Sequence, residues 1–327
     1  MPDVLPAADD LLRDATGREP LDRADGLSGA RLERVTIGGE SYVLKHFDLA
    51  NDWLLRASGD AGCRAVALWE LGLYDAMPRC IDHTVVGAAR DPSRGRWAAV
   101  LLMRDVSPWL VPEGESVVDL ATHRRFLDHM AEQHAALWGW RDTAGLLPMS
   151  MRYQLLTPEM AALEIARGST DFVPNAVASG WRQLDETTPD LAAAARRLVR
   201  DPEPLVSALA ATPTTFLQGD WKYGNLGAGP DGRTIVLDWD RPGEGPATFD
   251  LTWYLGVNCD RLPETKEAAT AYYRERLESH GVDTQPWWDA QLALTSLGTF
   301  LELAWSKSGD ELAWWEDRCR EALPLLG

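Results

Sequence analysis

The amino-acid sequence predicts an α+β protein with a strand-rich beginning and a larger, mainly helical remainder. Two short β-type runs, Leu32–Ile37 and Ser41–Phe47, are joined by Gly38-Gly39, which is a strong signal for an antiparallel hairpin. From His123 onwards, apolar residues instead recur every three or four positions, which is typical of amphipathic helices. With 327 residues, 45% of them apolar, the chain can bury a large core in one bilobal unit or two closely joined domains.

Shorter patterns predict the elements between the hairpin and the helices. The stretch CRAVALWELGLYDA, Cys63–Ala76, is typical of a helix that Pro78 ends, and WAAVLLM, Trp97–Met103, is typical of a buried strand. The following RDVSPWLVPEGE indicates a connector. We therefore predict two parts: residues 1–104 form an N-terminal lobe with an antiparallel sheet, and residues 105–327 form a helical C-terminal lobe.

The net charge and the termini restrict the class of protein. A formal net charge of −18 argues against a nucleic-acid binder, which needs a basic face. It is compatible with a cationic small substrate, although acidity also keeps an ordinary protein soluble. No run of roughly 18 apolar residues occurs and the N-terminus lacks a signal-peptide core, so we expect a cytoplasmic protein without a membrane partner. Free buried thiols are indicated by the wide spacing of the cysteines, Cys63, Cys80, Cys259 and Cys319.

Three metal-friendly side chains occur in the stretch FLQGDWKYGNLGAGPDGRTIVLDWD, residues 216–240. Asp220 and Asn225 lie in a turn-rich segment, whose polar side chains can reach a cleft. Asp238 follows the β-type run Thr234–Leu237, at a strand end where a carboxylate can point at a ligand. Carboxylate and amide oxygens suit Mg²⁺, which also takes substrate phosphates as ligands, and a further carboxylate can accept a proton from a hydroxyl. These are the parts that phosphoryl transfer needs.

The same residues resemble those of a known family. The chain contains in order the stretches QGDWKYGN, VLDWD and FDLTWYL. Together they resemble the pattern of the aminoglycoside phosphotransferase branch of the protein-kinase-like fold. That pattern is His-Gly-Asp-x4-Asn, then an apolar-Asp-Trp-acid strand, then Asp-Leu at a helix start. The resemblance implies a bilobal protein-kinase-like fold in which Asp220 is the catalytic base, Asn225 a Mg²⁺ ligand and Asp238 the main ligand bridging metal and phosphates. It also implies that Asp250 braces the catalytic loop. Gln218 stands where the family usually has His, a residue that serves chiefly in bracing hydrogen bonds, which a Gln amide can also make.

The resemblance further implies a nucleotide site in the N-terminal half. Lys45 lies on the second strand of the hairpin, flanked by apolar residues, as the phosphate-binding lysine of kinases does. Such a lysine normally pairs with a helix glutamate, which here would be Glu70, although an ordinary exposed helix acid is the alternative. Ser28 and Gly29 lie in the loop DGLSGA, at the position of the flap that covers the phosphates. Backbone groups around Met103, in LLMRDVS, would contact adenine.

The resemblance implies a kinase that uses ATP and Mg²⁺ and phosphorylates a small hydroxyl compound. One acceptor class is an aminoglycoside or a similar polycationic compound. The other is an ordinary metabolite, such as an amino sugar, a choline-like alcohol or a biosynthetic intermediate. A third hypothesis is a nucleotide-binding module without transfer activity, but inactive relatives commonly lose groups that this sequence keeps. We expect a monomer or a homodimer, and the patterns do not choose between ATP and GTP.

Acids and tryptophans share the C-terminal helices, in the stretch TSLGTFLELAWSKSGDELAWWEDRCREAL. In the family, acids on such helices bind amino groups of the acceptor, and an aromatic face can hold an apolar ring. The alternative is that the tryptophans belong to the core and the acids to a solvated face. The acids are Glu302, Asp310, Glu311, Glu316 and Asp317, and the tryptophans are Trp305, Trp314 and Trp315.

Overall fold

The computed structural model describes residues 3–21, 29–90 and 99–326. The chain forms two compact units, the first from Met1–Pro112 and Tyr223–Asp240, the second from Glu113–Lys222 and Arg241–Gly327. The boundary therefore falls after Pro112 instead of after residue 104. The segment Tyr223–Asp240, which the sequence predicts with the C-terminal lobe, belongs to the N-terminal unit.

The strands of the described residues are short, and most of them pair antiparallel. They are β1 (Ala15–Pro20), β2 (Arg31–Ile37), β3 (Glu40–Phe47), β4 (Ile81–Asp82), β5 (Val85–Arg90), β6 (Ala99–Arg104), β7 (Thr215–Leu217), β8 (Leu226–Ala228), β9 (Thr234–Val236) and β10 (Gly243–Gly245). In the first unit, the described part of the main sheet has five antiparallel strands in the order β1-β2-β3-β6-β5. A smaller sheet in the same unit has the order β4-β9-β8, and β7 pairs with β10 in the second unit.

Helices make up most of the second unit. The first unit holds α1 (Ala8–Leu11), α2 (Trp53–Ala57) and α3 (Arg64–Glu70). The second holds α4 (Leu120–Ala136), α5 (Met149–Arg152), α6 (Pro158–Ala166), α7 (Phe172–Thr187), α8 (Pro189–Arg200), α9 (Glu203–Ala210), α10 (Thr248–Val257), α11 (Lys266–Ser279), α12 (Trp288–Leu303) and α13 (Gly309–Ala322). The predicted α+β class, with an antiparallel sheet in the N-terminal part and a larger, mainly helical C-terminal part, is therefore confirmed.

The predicted hairpin lies inside the main sheet. β2 and β3 turn at Gly38 and Gly39, whose φ values of +59° and +87° suit residues without a side chain. On β3, Lys45 lies opposite Leu32 of β2 and Leu101 of β6, so it is on an interior strand. Its exposed fraction is 7%. A lysine buried to this extent needs a negative partner, because an unpaired buried charge is costly.

The smaller sheet explains why the segment Tyr223–Asp240 belongs to the first unit. β9 pairs with β8 on one side and with β4 on the other, and Gly227 forms an isolated bridge with Leu110. A Cβ at Gly227 would lie 2.7 Å from the carbonyl oxygen of Trp109, so the two backbones approach closely. These contacts join the segment to the connector, which is why the unit boundary moves to Pro112.

The predicted helices and cysteines agree with the structure in most respects. The predicted helix Cys63–Ala76 is too long, because α3 ends at Glu70 and Gly72 then adopts a left-handed φ of +68° that a helix cannot continue. α4 buries its apolar stripe, as predicted, and packs against α11. The four cysteines are free thiols, as predicted, but only Cys63 and Cys319 are buried, whereas Cys80 and Cys259 are partly exposed. No helix in the described ranges is both long and apolar enough to span a bilayer.

Candidate active site

Asp220 lies on a loop after β7 that is braced by hydrogen bonds within the second unit. The Asp250 carboxylate, in the first turn of α10, accepts the backbone N–H groups of Gln218 and Gly219, each at 3.0 Å. The Gln218 side chain in turn accepts the Asp220 N–H at 2.7 Å. Gly219 adopts a φ of +86°, and a Cβ there would lie 2.0 Å from the Arg241 carbonyl oxygen. The bracing roles predicted for Asp250 and Gln218 are therefore confirmed.

The Asp220 carboxylate is buried, with an exposed fraction of 5%, and its two oxygens contact different partners. The Trp253 indole N–H donates to Oδ1 at 2.9 Å, and the Lys222 ammonium lies 2.9 Å from Oδ2. Trp253 and Asp250 belong to the same helix, so α10 holds both the backbone of the loop and its carboxylate. A carboxylate held in this way is suited to accept a proton from a hydroxyl group.

A second group of charged side chains lies in the first unit, and we call it the lysine cluster: Lys45, Asp238 and Asp240. The Lys45 ammonium donates to Asp238 Oδ1 at 2.5 Å and to Asp240 Oδ2 at 2.6 Å. Burial lowers the pKa of Lys45, but the two carboxylates outweigh it and raise this pKa well above its ordinary value. The lysine is therefore charged, although it is buried.

Asp240 is the more deeply buried acid of the lysine cluster. Its side chain is 3% exposed, whereas that of Asp238 is 29% exposed. Burial and the neighbouring Asp238 raise the pKa of Asp240, and Lys45 opposes this rise. A further buried acid is Asp52, the N-cap of α2, whose pKa burial raises to about 6 against the effect of Lys45. Three acidic side chains are thus grouped around one ammonium group.

Asn225 and Asp238 lie at adjoining ends of β8 and β9. The Leu237 N–H donates to the Asn225 carbonyl oxygen at 2.8 Å, directly before Asp238. Asp238 adopts a left-handed φ of 59°, which is uncommon for a residue with a side chain. Such strained backbone occurs preferentially at functional sites, so the conformation supports a role for Asp238 other than strand pairing.

These residues fit a Mg²⁺ ion. Asn225 and Asp238 supply the hard oxygen donors that Mg²⁺ prefers, and Oδ1 of Asp240 is a buried oxygen without a hydrogen-bond partner in the described structure. The described residues contain no group of three or more His, Cys, Asp or Glu side chains suited to hold a metal. A bound Mg²⁺ would therefore depend on Asn225, on water and on substrate phosphates for its remaining ligands.

Glu70, the predicted partner of Lys45, is engaged elsewhere. Arg90 on β5 donates to the Glu70 carboxylate through Nε at 2.8 Å and through Nη2 at 3.0 Å. The predicted pair of Lys45 with Glu70 is therefore wrong. Glu70 is the last residue of α3, where its side chain reaches β5, and Asp238 and Asp240 take the place of the helix glutamate.

The other predicted nucleotide residues lie in or before the main sheet. Gly29 precedes β2 with a φ of +88°, and a Cβ there would lie 2.4 Å from the Asn51 carbonyl oxygen, so a side chain would force the backbone to shift. Met103 is buried on β6, between β3 and β5. Its contact with adenine stays a prediction. Ser28 lies outside the described residues.

Two residues that contact the predicted groups were not singled out from the sequence. Asp240 is the final acid of VLDWD, but no local pattern shows that it is buried against Lys45. Trp253 follows Asp250 by three positions on α10, a spacing that puts two side chains on the same helix face. This spacing could have identified Trp253 from the sequence, because Asp250 is expected to face the loop that carries Asp220.

Several of the C-terminal acids and tryptophans have partners inside the second unit. Glu302 is fully buried and pairs with Arg241. Glu311 lies 2.5 Å from Lys266 and accepts the indole N–H of Trp315 at 2.8 Å. Trp315 is 1% exposed and belongs to the core, as the alternative reading holds, whereas Trp305 and Trp314 are only partly buried. Glu302 is not part of a solvated face.

Several solved structures are similar to this chain. A choline kinase from Streptococcus pneumoniae is 14% identical, with 97% of this chain and 95% of that chain covered and a TM-score of 0.47. An aminoglycoside phosphotransferase from Streptomyces rimosus is 18% identical, with 90% and 95% covered and a TM-score of 0.49. A microcompartment-associated aminopropanol kinase is 14% identical, with 98% and 94% covered and a TM-score of 0.49. No protein-family model and no curated protein match the chain. Identities and TM-scores this low assign neither a family nor a substrate, so both must be argued from the residues.

Proposed function

We propose that this protein is an ATP-dependent small-molecule kinase of the aminoglycoside phosphotransferase type, with a protein-kinase-like fold. The lysine cluster carries the proposal: Lys45 is buried, charged and held at 2.5 Å by Asp238, which lies in the same stretch of chain as Asp220 and Asn225. Phosphoryl transfer requires a fixed cation for the nucleotide phosphates, carboxylate and amide oxygens for Mg²⁺, and an oriented carboxylate base.

In the proposed reaction, Asp220 orients the acceptor hydroxyl and accepts its proton while the hydroxyl oxygen attacks the γ-phosphorus of ATP. The bond between the γ-phosphorus and the bridging oxygen breaks, and ADP leaves. Lys45 neutralises charge on the α- and β-phosphates. Mg²⁺ held by Asn225 and Asp238 supplies charge neutralisation on the phosphate oxygens when it is bound. Catalysis is then mostly positioning and electrostatic stabilisation.

The remaining predicted contacts belong to the same proposal. Ser28 and Gly29 cover the phosphates, backbone groups near Met103 contact adenine, and the C-terminal helices bind the acceptor. The acceptor is a hydroxyl compound with amino groups, aminoglycoside-like or a smaller amino alcohol, because a net charge of −18 suits a cation. A cytoplasmic location and a monomeric or homodimeric state are further expectations.

A panel of acceptors tests the function. ADP release is measured with ATP or GTP and Mg²⁺, using aminoglycosides, amino sugars, choline-like alcohols, and neutral and anionic alcohols. We expect acceptor-dependent ADP release with the amino-bearing alcohols, which stops when EDTA removes Mg²⁺. Turnover restricted to neutral or anionic acceptors would contradict the cationic class. Binding of Mg·ATP without ADP release for any acceptor would instead identify a nucleotide-binding module.

A further inference from the structure

We infer that Trp253 is a positioning residue for Asp220: its indole N–H holds the carboxylate in the orientation that receives the acceptor's proton, and Arg241, paired with Glu302, holds the indole. The inference rests on the proposed function, because it takes Asp220 as the base. It adds a role for Trp253, a residue to which the family pattern of Asp-Leu at a helix start gives none. The four side chains all belong to the second unit.

The hydrogen bond from Trp253 fixes one oxygen of a buried carboxylate. The indole N–H donates to Asp220 Oδ1 at 2.9 Å, and the two side chains belong to residues that are 4% and 5% exposed. An indole has a single donor on a rigid ring, so it restricts the rotation of the carboxylate more than a flexible side chain does. The Lys222 ammonium, 2.9 Å from Oδ2, belongs to a side chain that is 29% exposed. The rigid, buried contact is therefore the one on Oδ1.

The indole of Trp253 is itself held by a stacked cation. The guanidinium carbon of Arg241 lies 4.3 Å from the centre of the Trp253 ring, which is within the range of a cation–π contact. Arg241 also pairs with Glu302 on α12, and the two residues are 4% and 0% exposed. The backbone of Arg241 is anchored in addition, because its carbonyl oxygen accepts a hydrogen bond from Arg152 at 2.6 Å.

The presence of the buried ion pair between Arg241 and Glu302 calls for an explanation other than its contribution to stability. Removing two charges from water costs about as much as their attraction returns, so a buried ion pair is a weak source of stability. Within the described residues, Arg241 Nε and Glu302 Oε1 are also buried without hydrogen-bond partners. Buried polar atoms without partners are uncommon in folded proteins, and each calls for an explanation. Holding the ring that orients the base is a function that accounts for this arrangement.

The substitution Trp253→Phe tests the inference, because it keeps an aromatic ring under Arg241 and removes the indole donor together with one of the two fused rings. We expect kcat to fall about 10- to 100-fold, the usual effect of a hydrogen bond to a charged group. The KM values for ATP and for the acceptor should stay unchanged, because the indole N–H is already used by the Asp220 carboxylate. An unchanged kcat overturns the inference.

Trp181→Phe is the matched control. Trp181 is also fully buried in the second unit, its indole N–H donates to the Leu156 carbonyl oxygen at 3.0 Å, and Arg196 lies 5.1 Å from its ring centre. It has the same chemistry without contact to Asp220. We expect this variant to lose stability without a selective fall in kcat. A fall in kcat as large as that of Trp253→Phe would indicate a structural effect and overturn the inference.

An NMR measurement tests the contact without any enzyme activity. In spectra of the tryptophan indole N–H groups, the Trp253 resonance is the one that disappears in Trp253→Phe. The variant Asp220→Ala should shift this resonance and leave that of Trp181 in place. If the wild-type protein transfers phosphate to no acceptor, the proposed function has failed, and this spectrum still decides whether Trp253 holds Asp220. A Trp253 resonance that does not move overturns the inference.

Discussion

Lys45 in the first unit and Asp220 in the second are both buried ionisable groups, but they are held by different means. Two carboxylates at 2.5 and 2.6 Å fix the Lys45 ammonium. Asp220 receives a neutral indole N–H on one oxygen, and its loop is anchored through backbone N–H groups by Asp250. Opposite charge alone therefore fixes the lysine in these contacts, whereas the acid combines hydrogen bonds from neutral groups with one partly exposed ammonium, that of Lys222.

The difference corresponds to the two proposed tasks. A lysine that neutralises phosphates must keep its charge, and the carboxylates of the lysine cluster raise its pKa despite burial. A general base must instead take up a proton during the reaction. A neutral donor orients the base without placing a full positive charge on that oxygen. Substitutions in the two units should therefore affect different steps.

The largest effect is expected for Asp220→Asn. The amide keeps the shape of the side chain but cannot accept the acceptor's proton, so turnover should fall by about 10²- to 10⁴-fold. Binding of Mg·ATP, measured by calorimetry, should be largely unaffected. Asp185→Asn is a suitable control, because Asp185 pairs with Arg196 in the same unit. Unchanged turnover in Asp220→Asn would refute the assignment of the base.

Asp238→Ala should affect the nucleotide instead of the proton transfer. Loss of a carboxylate ligand should weaken Mg²⁺-dependent ATP binding by roughly 10- to 100-fold, which corresponds to one lost contact with a charged group. ATP is titrated with and without Mg²⁺, so the metal-dependent part is separated from the loss of a Lys45 partner. Asp231→Ala is the control, since this exposed acid lies between β8 and β9 and pairs with Arg233. The same affinity for Mg·ATP in both variants would remove the metal role of Asp238.

A smaller effect should distinguish Asp240 from Glu70. Asp240→Asn removes one of the two charges that hold Lys45, and we expect phosphoryl transfer to slow by about tenfold, as for one charge-assisted hydrogen bond. Glu70→Gln should leave the rate unchanged, because Glu70 pairs with Arg90. Rates are compared at saturating ATP and acceptor. An equal loss in both variants would mean that the helix glutamate positions Lys45 after all.

The smallest effect on the site is expected from a substitution in another ion cluster of the main sheet. We call it the Glu33 cluster, and it consists of Glu33, Arg18 and Arg31. Burial raises the pKa of Glu33, but hydrogen bonds from Arg31 and Arg18 outweigh it and lower this pKa from 4.5 to about 2. A lowered pKa in the folded state contributes stability above about pH 4.5, and this contribution is lost as the pH falls towards 2. From pH 7 to pH 3, the wild type should therefore lose up to about 2 kcal/mol more unfolding free energy than Glu33→Gln.

Urea unfolding at pH 7 and pH 3 measures this difference for the Glu33 cluster. ATP affinity at pH 7 should be the same in the wild type and in Glu33→Gln, because Glu33 is not a partner of Lys45. The same loss of stability in both proteins between the two pH values would contradict the predicted contribution. Reduced ATP affinity in the variant would show that the two clusters of the sheet are coupled.

Local patterns predicted the elements whose signals are local. The hairpin of β2 and β3 was predicted because Gly38-Gly39 and the flanking β-type runs occur within a few residues. β1 was not predicted, since Ala15–Pro20 is mostly exposed and carries little apolar pattern. Its strand conformation depends on pairing with β2, which is a non-local contact. α3 ends at Glu70, well before Pro78, because the left-handed φ of Gly72 ends the helix, and the apolar pattern does not show this conformation.

The sequence by itself determined which reactive groups the protein has and how they are spaced along the chain. Asp220, Asn225 and Asp238 occur within residues 216–240 and Lys45 on a hairpin strand, and phosphoryl transfer was predicted from these residues together with their resemblance to the aminoglycoside phosphotransferase pattern. Only the tertiary structure decided that Lys45 pairs with Asp238 and Asp240. It alone also showed that the Trp253 indole N–H donates a hydrogen bond to Asp220. These contacts join residues 193, 195 and 33 positions apart, and buried groups find such partners through packing, which local spacing does not encode.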